Sequence, residues 1–398
     1  MTSMAVSHRA ETHYTENSLE LAEAVGRLLI IGFEGTDFAE VEDLVTTVRP
    51  AGLIFFKRNF PKTGGPRALK ELIDATQALA ESQLGRRLLM AIDHEGGLVQ
   101  RLPAPYTRLP AAGEIPFLAS AAELTGRGAR ELAATGFNFN LAPVLDVASP
   151  SGSFMGSRCF SDDPGQVLAF GRAQLEASHQ AGVLGAGKHF PGLGSAVIDP
   201  HHELPTLVSD RRRLMEVDLV PFQGLINPAA SGAETLAGAA DASPASAGGR
   251  AGGAASSLLA VMTTHAVFPA LDPERPATFS EEIVSLLKNE MGFAGALLTD
   301  DLEMGAVVKN YPMGEAAVAS VAVGHDLALV CRRREYIDEC RRALGAALRG
   351  GLISETRLAD AHERSGRLAC RLADIRPGRD LLDQWFETLS AADNPDAD

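Results

Sequence analysis

Short apolar runs alternate with longer amphipathic stretches along most of this 398-residue chain. Leu28–Phe33, Ala51–Phe56, Leu88–Ile92 and Phe137–Val147 are the first four runs. Others begin at Val183, Leu258, Ala294 and Asp326, the last three ending at Thr263, Leu298 and Val330. The stretches between them carry apolar residues three and four apart, the repeat of one helix face. Helices are expected over Ser18–Arg27, Pro66–Leu84, Ala119–Ala134, Pro164–Gln180, Met215–Ile226 and Glu315–Val323. Another is expected after Ser280, whose hydroxyl suits an N-cap, and two more close the chain before about Arg376.

A short apolar run bounded by turn residues is the mark of a strand buried on both faces, and such strands alternating with helices form a parallel sheet. About eight of them fit an α/β fold of the (β/α)8 barrel type in a single domain. No glycine-rich nucleotide-binding fingerprint follows the first strand. Residues 1–16 are expected to be a disordered tail, 17–378 the barrel, and 379–398 an acidic tail. Residues 227–257 break the alternation. They are rich in Ala, Gly and Ser, with Leu236 as the one large apolar side chain, and are expected to be a flexible insertion in a barrel loop, the alternative being an active-site lid.

Composition narrows the function. A net charge of −15 and an isoelectric point near 5.2 argue against nucleic acid or an anionic membrane as partner. The four cysteines have no CxxC spacing and suit buried thiols in a reducing compartment. The polar stretch Met1–Asn17 lacks an apolar core, and no 18-residue apolar run follows, so a cytoplasmic location is expected.

Charged residues recur where the apolar runs end. After the third run comes Asp93-His94-Glu95-Gly96-Gly97; Asp146 stands near the end of the fourth, and Arg158 follows it. The fifth opens into Lys188-His189-Phe190-Pro191-Gly192-Leu193-Gly194 and then Asp199-Pro200-His201-His202-Glu203, a stretch too rich in Gly and Pro for a helix. His265 follows the sixth run, and Asp300, Asp301 and Glu303 the seventh. A barrel gathers its strand C-terminal ends on one face, where active sites sit. Two chemistries use such residues. Carboxylates and histidines could bind a divalent metal, but adjacent pairs such as His201/His202 and Asp300/Asp301 point to opposite faces of a strand and chelate poorly. Alternatively a carboxylate attacks a sugar's anomeric carbon while a second group donates a proton.

Lys188-His189-Phe190-Pro191-Gly192 with Asp199-x-His201 and Pro205 resembles the signature of bacterial β-N-acetylhexosaminidases of glycoside hydrolase family 3. Asp93-His94-Glu95-Gly96-Gly97-x-Val99-Gln100-Arg101 is similar to that family's second signature. Ala142–Val147, Arg158-x-Phe160, Val261-Met262-Thr263-x-His265 and Thr299-Asp300-Asp301-Leu302-x-Met304 fall in the family's order, so the likeness spans roughly Leu21 to Arg376.

The resemblance implies a (β/α)8 barrel, no cofactor and no metal, and a two-step retaining mechanism. It implies Asp300 as nucleophile, with Asp301 its rival, and His201 as acid/base with Asp199 as dyad partner. A carboxylate on the imidazole fixes its tautomer and raises its basicity. His202 and Glu203 have suitable chemistry in the wrong register. The resemblance further implies that Asp93, Arg158, Lys188 and His189 bind the N-acetylglucosamine. Asp146 and His265 are candidates beside the site, and Glu95 is expected to be structural, held at the turn that Gly96-Gly97 permits.

Four positions depart from the family pattern: Leu98, Leu193, Ser195 and Pro200. Pro200 restricts Asp199 and stiffens the dyad loop. The expected activity is that of a cytoplasmic exo-β-N-acetylglucosaminidase acting on small carbohydrate substrates, muropeptide fragments of peptidoglycan recycling. Alternatives are a β-glucosidase or a β-N-acetylglucosaminide phosphorylase, a metal-dependent barrel hydrolase, and a non-catalytic sugar-binding protein. The sequence carries no signal for oligomeric state.

Overall fold

Each expected apolar run contains a strand: β1 Leu29–Ile31, β2 Gly52–Phe55, β3 Leu89–Ile92, β4 Phe139–Asn140, β5 Leu184–Phe190, β6 Ala260–Thr263, β7 Ala296–Asp301 and β8 Leu327–Val330. In this computed structural model, which describes residues 14–15, 18–149, 153–228, 258–374 and 385–387, they close in the order β1-β8-β7-β6-β5-β4-β3-β2. Every pairing is parallel, so the fold is the expected (β/α)8 barrel. The expected N-terminal tail, the 227–257 insertion and the acidic tail fall almost wholly outside the described residues.

The strands alternate between two cores, as period-2 geometry requires. Ile30, Ile54, Ala91, Phe139, Ala186, Met262, Leu298 and Leu329 belong to one cluster inside the barrel. Leu29, Ile31, Leu53, Phe55, Met90 and Ile92 belong to another, which holds Leu69 and Ile73 of helix Gly65–Leu84. Burial on both faces explains why the runs show no polar alternation.

Three elements differ from expectation. The fourth run yields a strand of two residues, not one reaching Val147. Pro143 has no N–H for the ladder, and regular pairing gives way to an isolated bridge, Val144 with Lys188, and to Ala142 O accepting from Ala186 N–H. Helix Phe38–Val48 is absent from the expected elements although Val41, Leu44, Val45 and Val48 form its buried face behind the N-cap Asp37. The expected helix Met215–Ile226 is two pieces, because Pro221 falls in the first turn of Val220–Ile226 after a π turn over Leu214–Asp218.

The strand N-terminal ends are tied by an ionic cluster. Lys288 donates to Gly324 O (2.6 Å) and Asp326 Oδ1 (2.8 Å), just before β8. Arg364 donates to Phe293 O and Gly295 O at 2.9 and 3.1 Å, just before β7. Ile226 and Leu258, which bracket the Ala/Gly/Ser-rich segment, are on this face, opposite the strand ends described next. Among the described residues no helix is long and apolar enough to cross a membrane.

Candidate active site

Asp93, Arg158, Lys188, His189, His201 and Asp300 line one cavity of about 170 Å³ at the C-terminal ends of the strands. Asp93 directly follows β3, Lys188 and His189 come just before the last residue of β5, and Asp300 is next to last in β7. Two consecutive β5 side chains reach one cavity because the strand is irregular there. Pairing with β6 shifts register between Lys188 and Phe190. Such irregularities re-aim side chains beside active sites.

Charge pairing organises one wall. Lys188 Nζ, almost wholly buried, lies 2.7 Å from both Asp93 Oδ1 and Glu95 Oε1. Arg158 grips Glu95 with both Nε and Nη2, at 3.0 and 2.9 Å, a bidentate pair. Arg101 reaches Asp93 Oδ2 at 3.4 Å and lies over one face of the Phe56 ring. Burial alone would raise the Glu95 carboxyl, but Lys188 and Arg158 outweigh it and bring it down to about 2. Asp93 is likewise held below the usual carboxylate range, burial being outweighed by Lys188 and Arg101. The Lys188 ammonium is held up, its burial outweighed by Asp93 and Glu95.

His189 is oriented from behind. Its Nδ1 lies 2.7 Å from Asp146 Oδ2, and Asp146 Oδ1 accepts the backbone N–H groups of His189 and Leu193. With Nδ1–H donated to this carboxylate, Nε2 faces the cavity, 3.5 Å from Arg158 Nη2. Asp146 is wholly buried, and its contribution to the site runs through His189.

His201 stands on the loop beyond β5 with its side chain 62% exposed. Its Nδ1 lies 2.7 Å from Asp199 Oδ1, which also accepts the His201 backbone N–H at 2.9 Å. The Asp199 carboxyl is lowered; burial opposes the shift and the two bonds from His201 carry it. The loop is docked on the element after β7: Gly305 N–H donates to His201 O (3.1 Å) and Ala306 N–H to Pro200 O (3.0 Å). His202 and Glu203 are exposed and line no part of the cavity.

The two adjacent aspartates differ. Asp300 faces the cavity, with Oδ1 accepting the Asp301 backbone N–H at 2.8 Å. Burial would raise its carboxyl, but His189, His265, Lys188 and His201 together hold it below the ordinary value. Asp301 turns away: its Oδ1 accepts backbone N–H groups of Glu303 and Cys331 at 3.0 and 3.2 Å. Burial, with Glu303 and Asp300 nearby, pushes it up to about 7. Two carboxyls with values driven apart suit one charged role and one structural role.

Glu95 and Arg101 line the cavity but are not among the expected binding residues. Glu95, expected to be structural, holds the Arg158 and Lys188 heads in place as part of the wall. The available signal was spacing: Asp93 and Glu95 are two apart in an extended segment and share a face. The turn expected at Gly96-Gly97 is present, with φ of 105° and 56°, joining His94–Gly96 to Val99–Gln100. Its tip carries Leu98, 83% exposed, whereas Leu193 is buried against the site and Ser195 meets Ser209. Val99, Phe154, Leu193, Pro200 and Met304 form the cavity's apolar side. Among the described residues no group of three or more His, Cys, Asp or Glu side chains could hold a metal ion.

Similar proteins carry the same arrangement of sequence and fold. The glycosyl hydrolase family 3 N-terminal domain matches residues 20–248 and 252–368. A β-hexosaminidase of Alkalilimnicola ehrlichii is 34% identical over 368 residues, 90% of this chain and 90% of that protein. One of Xylella fastidiosa is 33% identical over 87% of this chain and 98% of its own. A solved family 3 β-N-acetylglucosaminidase from a Paenibacillus species superposes with a TM-score of 0.78 at 34% identity, over 89% of this chain and 63% of that longer one. A β-N-acetylhexosaminidase from Beutenbergia cavernae gives 0.74 at 25% identity, over 88% of this chain and 99% of that one.

Proposed function

Since the chain belongs to glycosyl hydrolase family 3 and is a glycoside hydrolase, we propose that it is a retaining exo-β-N-acetylglucosaminidase working through a covalent glycosyl-enzyme. The observation that carries this reading is the meeting of Asp300 and His201 in one cavity beside a wall of paired charges. A carboxylate held ionised, together with a mobile proton, is the equipment of a two-step glycosidase.

In the first step Asp300 attacks the anomeric carbon. Its Oδ1 is engaged by the Asp301 N–H, so Oδ2 forms the bond. His201, doubly protonated, gives its Nε2 proton to the leaving oxygen as the glycosidic bond breaks, and keeps Nδ1–H on Asp199. In the second step neutral His201 takes a proton from water through Nε2. That water attacks the anomeric carbon, and the bond to Asp300 breaks. The tautomer held by Asp199 leaves Nε2 as the nitrogen that exchanges in both steps.

Asp93 accepts from sugar hydroxyls, and Arg158, Lys188 and His189 hold the sugar from the charged wall. The substrate class is a β-linked N-acetylglucosamine end, in keeping with the names of the relatives. Its natural source in this reading is the cytoplasmic pool of muropeptide fragments from peptidoglycan. Asp300→Ala tests the core of the reading: turnover of an aryl N-acetyl-β-glucosaminide should fall by about four orders of magnitude or more with the fold intact. Unchanged turnover overturns it. Aryl glycosides differing only at the 2-position should favour N-acetyl over hydroxyl, and should release the free sugar with or without phosphate.

A further inference from the structure

His265 follows β6 and is wholly buried, and neither step above uses it. We propose that it is a positioning residue for Asp300, acting through Asp301; this rests on the reading of Asp300 as nucleophile.

His265 Nε2 lies 2.9 Å from Asp301 O. A carbonyl oxygen brings no proton, so Nε2 carries the proton and donates it. Burial disfavours a second proton on the ring. Nδ1 is therefore an acceptor, and the Thr278 hydroxyl donates to it at 2.7 Å in preference to its longer partner, Thr264 O at 3.1 Å. The Asp301 carbonyl thus selects the tautomer, and the Thr278 hydroxyl supports it from the other side of the ring.

Asp301 in turn is fixed at three places. Its carbonyl accepts from His265 and from the Met304 N–H at 3.0 Å, its carboxylate accepts from Glu303 and Cys331 N–H, and its own N–H donates to Asp300 Oδ1 at 2.8 Å. The last bond leaves Asp300 Oδ2 as the attacking oxygen. The regular ladder cannot do this job alone, because β7 and β8 shift register between Leu298 and Asp301. His265, just beyond the neighbouring strand β6, joins the Met304 N–H on the Asp301 carbonyl. The Asp301 C=O and N–H belong to the two peptide units that flank its Cα, so it is a shift of the whole residue, once the carbonyl loses the His265 bond, that would displace the N–H orienting the nucleophile.

The test compares His265→Gln with His265→Met. Both are unbranched and of similar length; only Gln offers a donor near the Nε2 position. With an aryl N-acetyl-β-glucosaminide, His265→Met is expected to lower kcat about a hundredfold, the scale of a misaligned reacting group. Affinity for N-acetylglucosamine should stay within about twofold of the parent, since the wall of charges is untouched. His265→Gln is expected to recover most of the lost kcat. Thr278→Val, isosteric and without a donor, should give a smaller loss in kcat alone, and decides the matter if His265→Met does not fold. Equal losses in the Gln and Met variants, a loss confined to KM, or full activity in His265→Met and Thr278→Val overturn the proposal. If instead Asp300→Asn retains turnover, the assignment of the nucleophile fails first, independently of these variants.

Discussion

The backbone N–H of Gly305 donates to the carbonyl of His201 over 3.1 Å, joining the segment after the Asp300 strand to the loop that carries the histidine. The approach leaves no room for a side chain. A Cβ on Gly305 would sit 2.5 Å from His202 O and 2.7 Å from His201 O. Gly305→Ala should therefore lift the loop off its seat. The expected result is a fall in kcat of about ten- to a hundredfold, with binding of N-acetylglucosamine and thermal stability nearly unchanged. A parent-like kcat would show that the docking does not align His201.

The charged side of the site balances. Arg101, Arg158 and Lys188 face Asp93, Glu95 and Asp300. Glu95→Gln keeps the shape and leaves Lys188 and Arg158 short of one carboxylate, which should destabilise the protein by about 3–5 kcal/mol. The pH dependence has a definite sign. The Glu95 carboxyl is lowered from its ordinary 4.5 to about 2, so its contribution is present above the ordinary value and lost as pH falls through about 2. Denaturant titrations at pH 7 and pH 3 should show the gap between variant and parent narrowing toward acid.

His201→Ala separates the two chemical steps. A dinitrophenolate leaving group needs no proton, so Asp300 can still be glycosylated, while water has lost its base. The expected signature is a burst of dinitrophenolate equal to the enzyme concentration, then turnover about 10²–10⁴-fold slower than the parent. Asp199→Asn should show the same pattern more weakly. Loss of the burst would mean that His201 serves only to bind.

Asp218 is a buried carboxylate outside the cavity. Its Oδ1 lies 3.4 Å from Arg213, its Oδ2 has no hydrogen-bond partner among the described residues, and Asp146 is nearby. Burial, ahead of these neighbours, pushes it up to about 7. Its favourable contribution is complete below its ordinary value near 4 and lost as pH rises through about 7. Asp218→Asn should raise the melting temperature at pH 8, where ionisation costs the parent on the order of 2–4 kcal/mol, and leave it unchanged near pH 4. An equal effect at both pH values would show that the carboxyl titrates normally.

Fold and site differ in how they were written in the chain. The barrel was legible because strands buried on both faces make unbroken apolar runs, and seven of the eight kept their expected places. The run at Phe137–Val147 misled because apolar residues continue past Asn140, where the regular strand ends and only irregular bonds to β5 follow. Lys188, His189 and Asp300 could be found because chemistry follows strand ends. Glu95 could not be placed as easily, since its meaning depends on Arg158, sixty-three residues away in the chain. The split between Asp300 and Asp301 was likewise a matter of direction. Both are aspartates at one strand end, and only the backbone donors from Glu303 and Cys331 show which carboxylate is already engaged.

The ionic cluster under the barrel gives the two ends of the molecule unequal local stability. Lys288 and Arg364 fasten carbonyls just ahead of β7 and β8, whereas the opposite ends of β5 and β7 trade regular ladder bonds for side-chain contacts. Amide hydrogens near the strand starts should exchange with solvent only on global unfolding, while those of the 199–203 loop exchange through smaller openings. A fold divided in this way can change its substrate loops without spending the stability that holds the strands together.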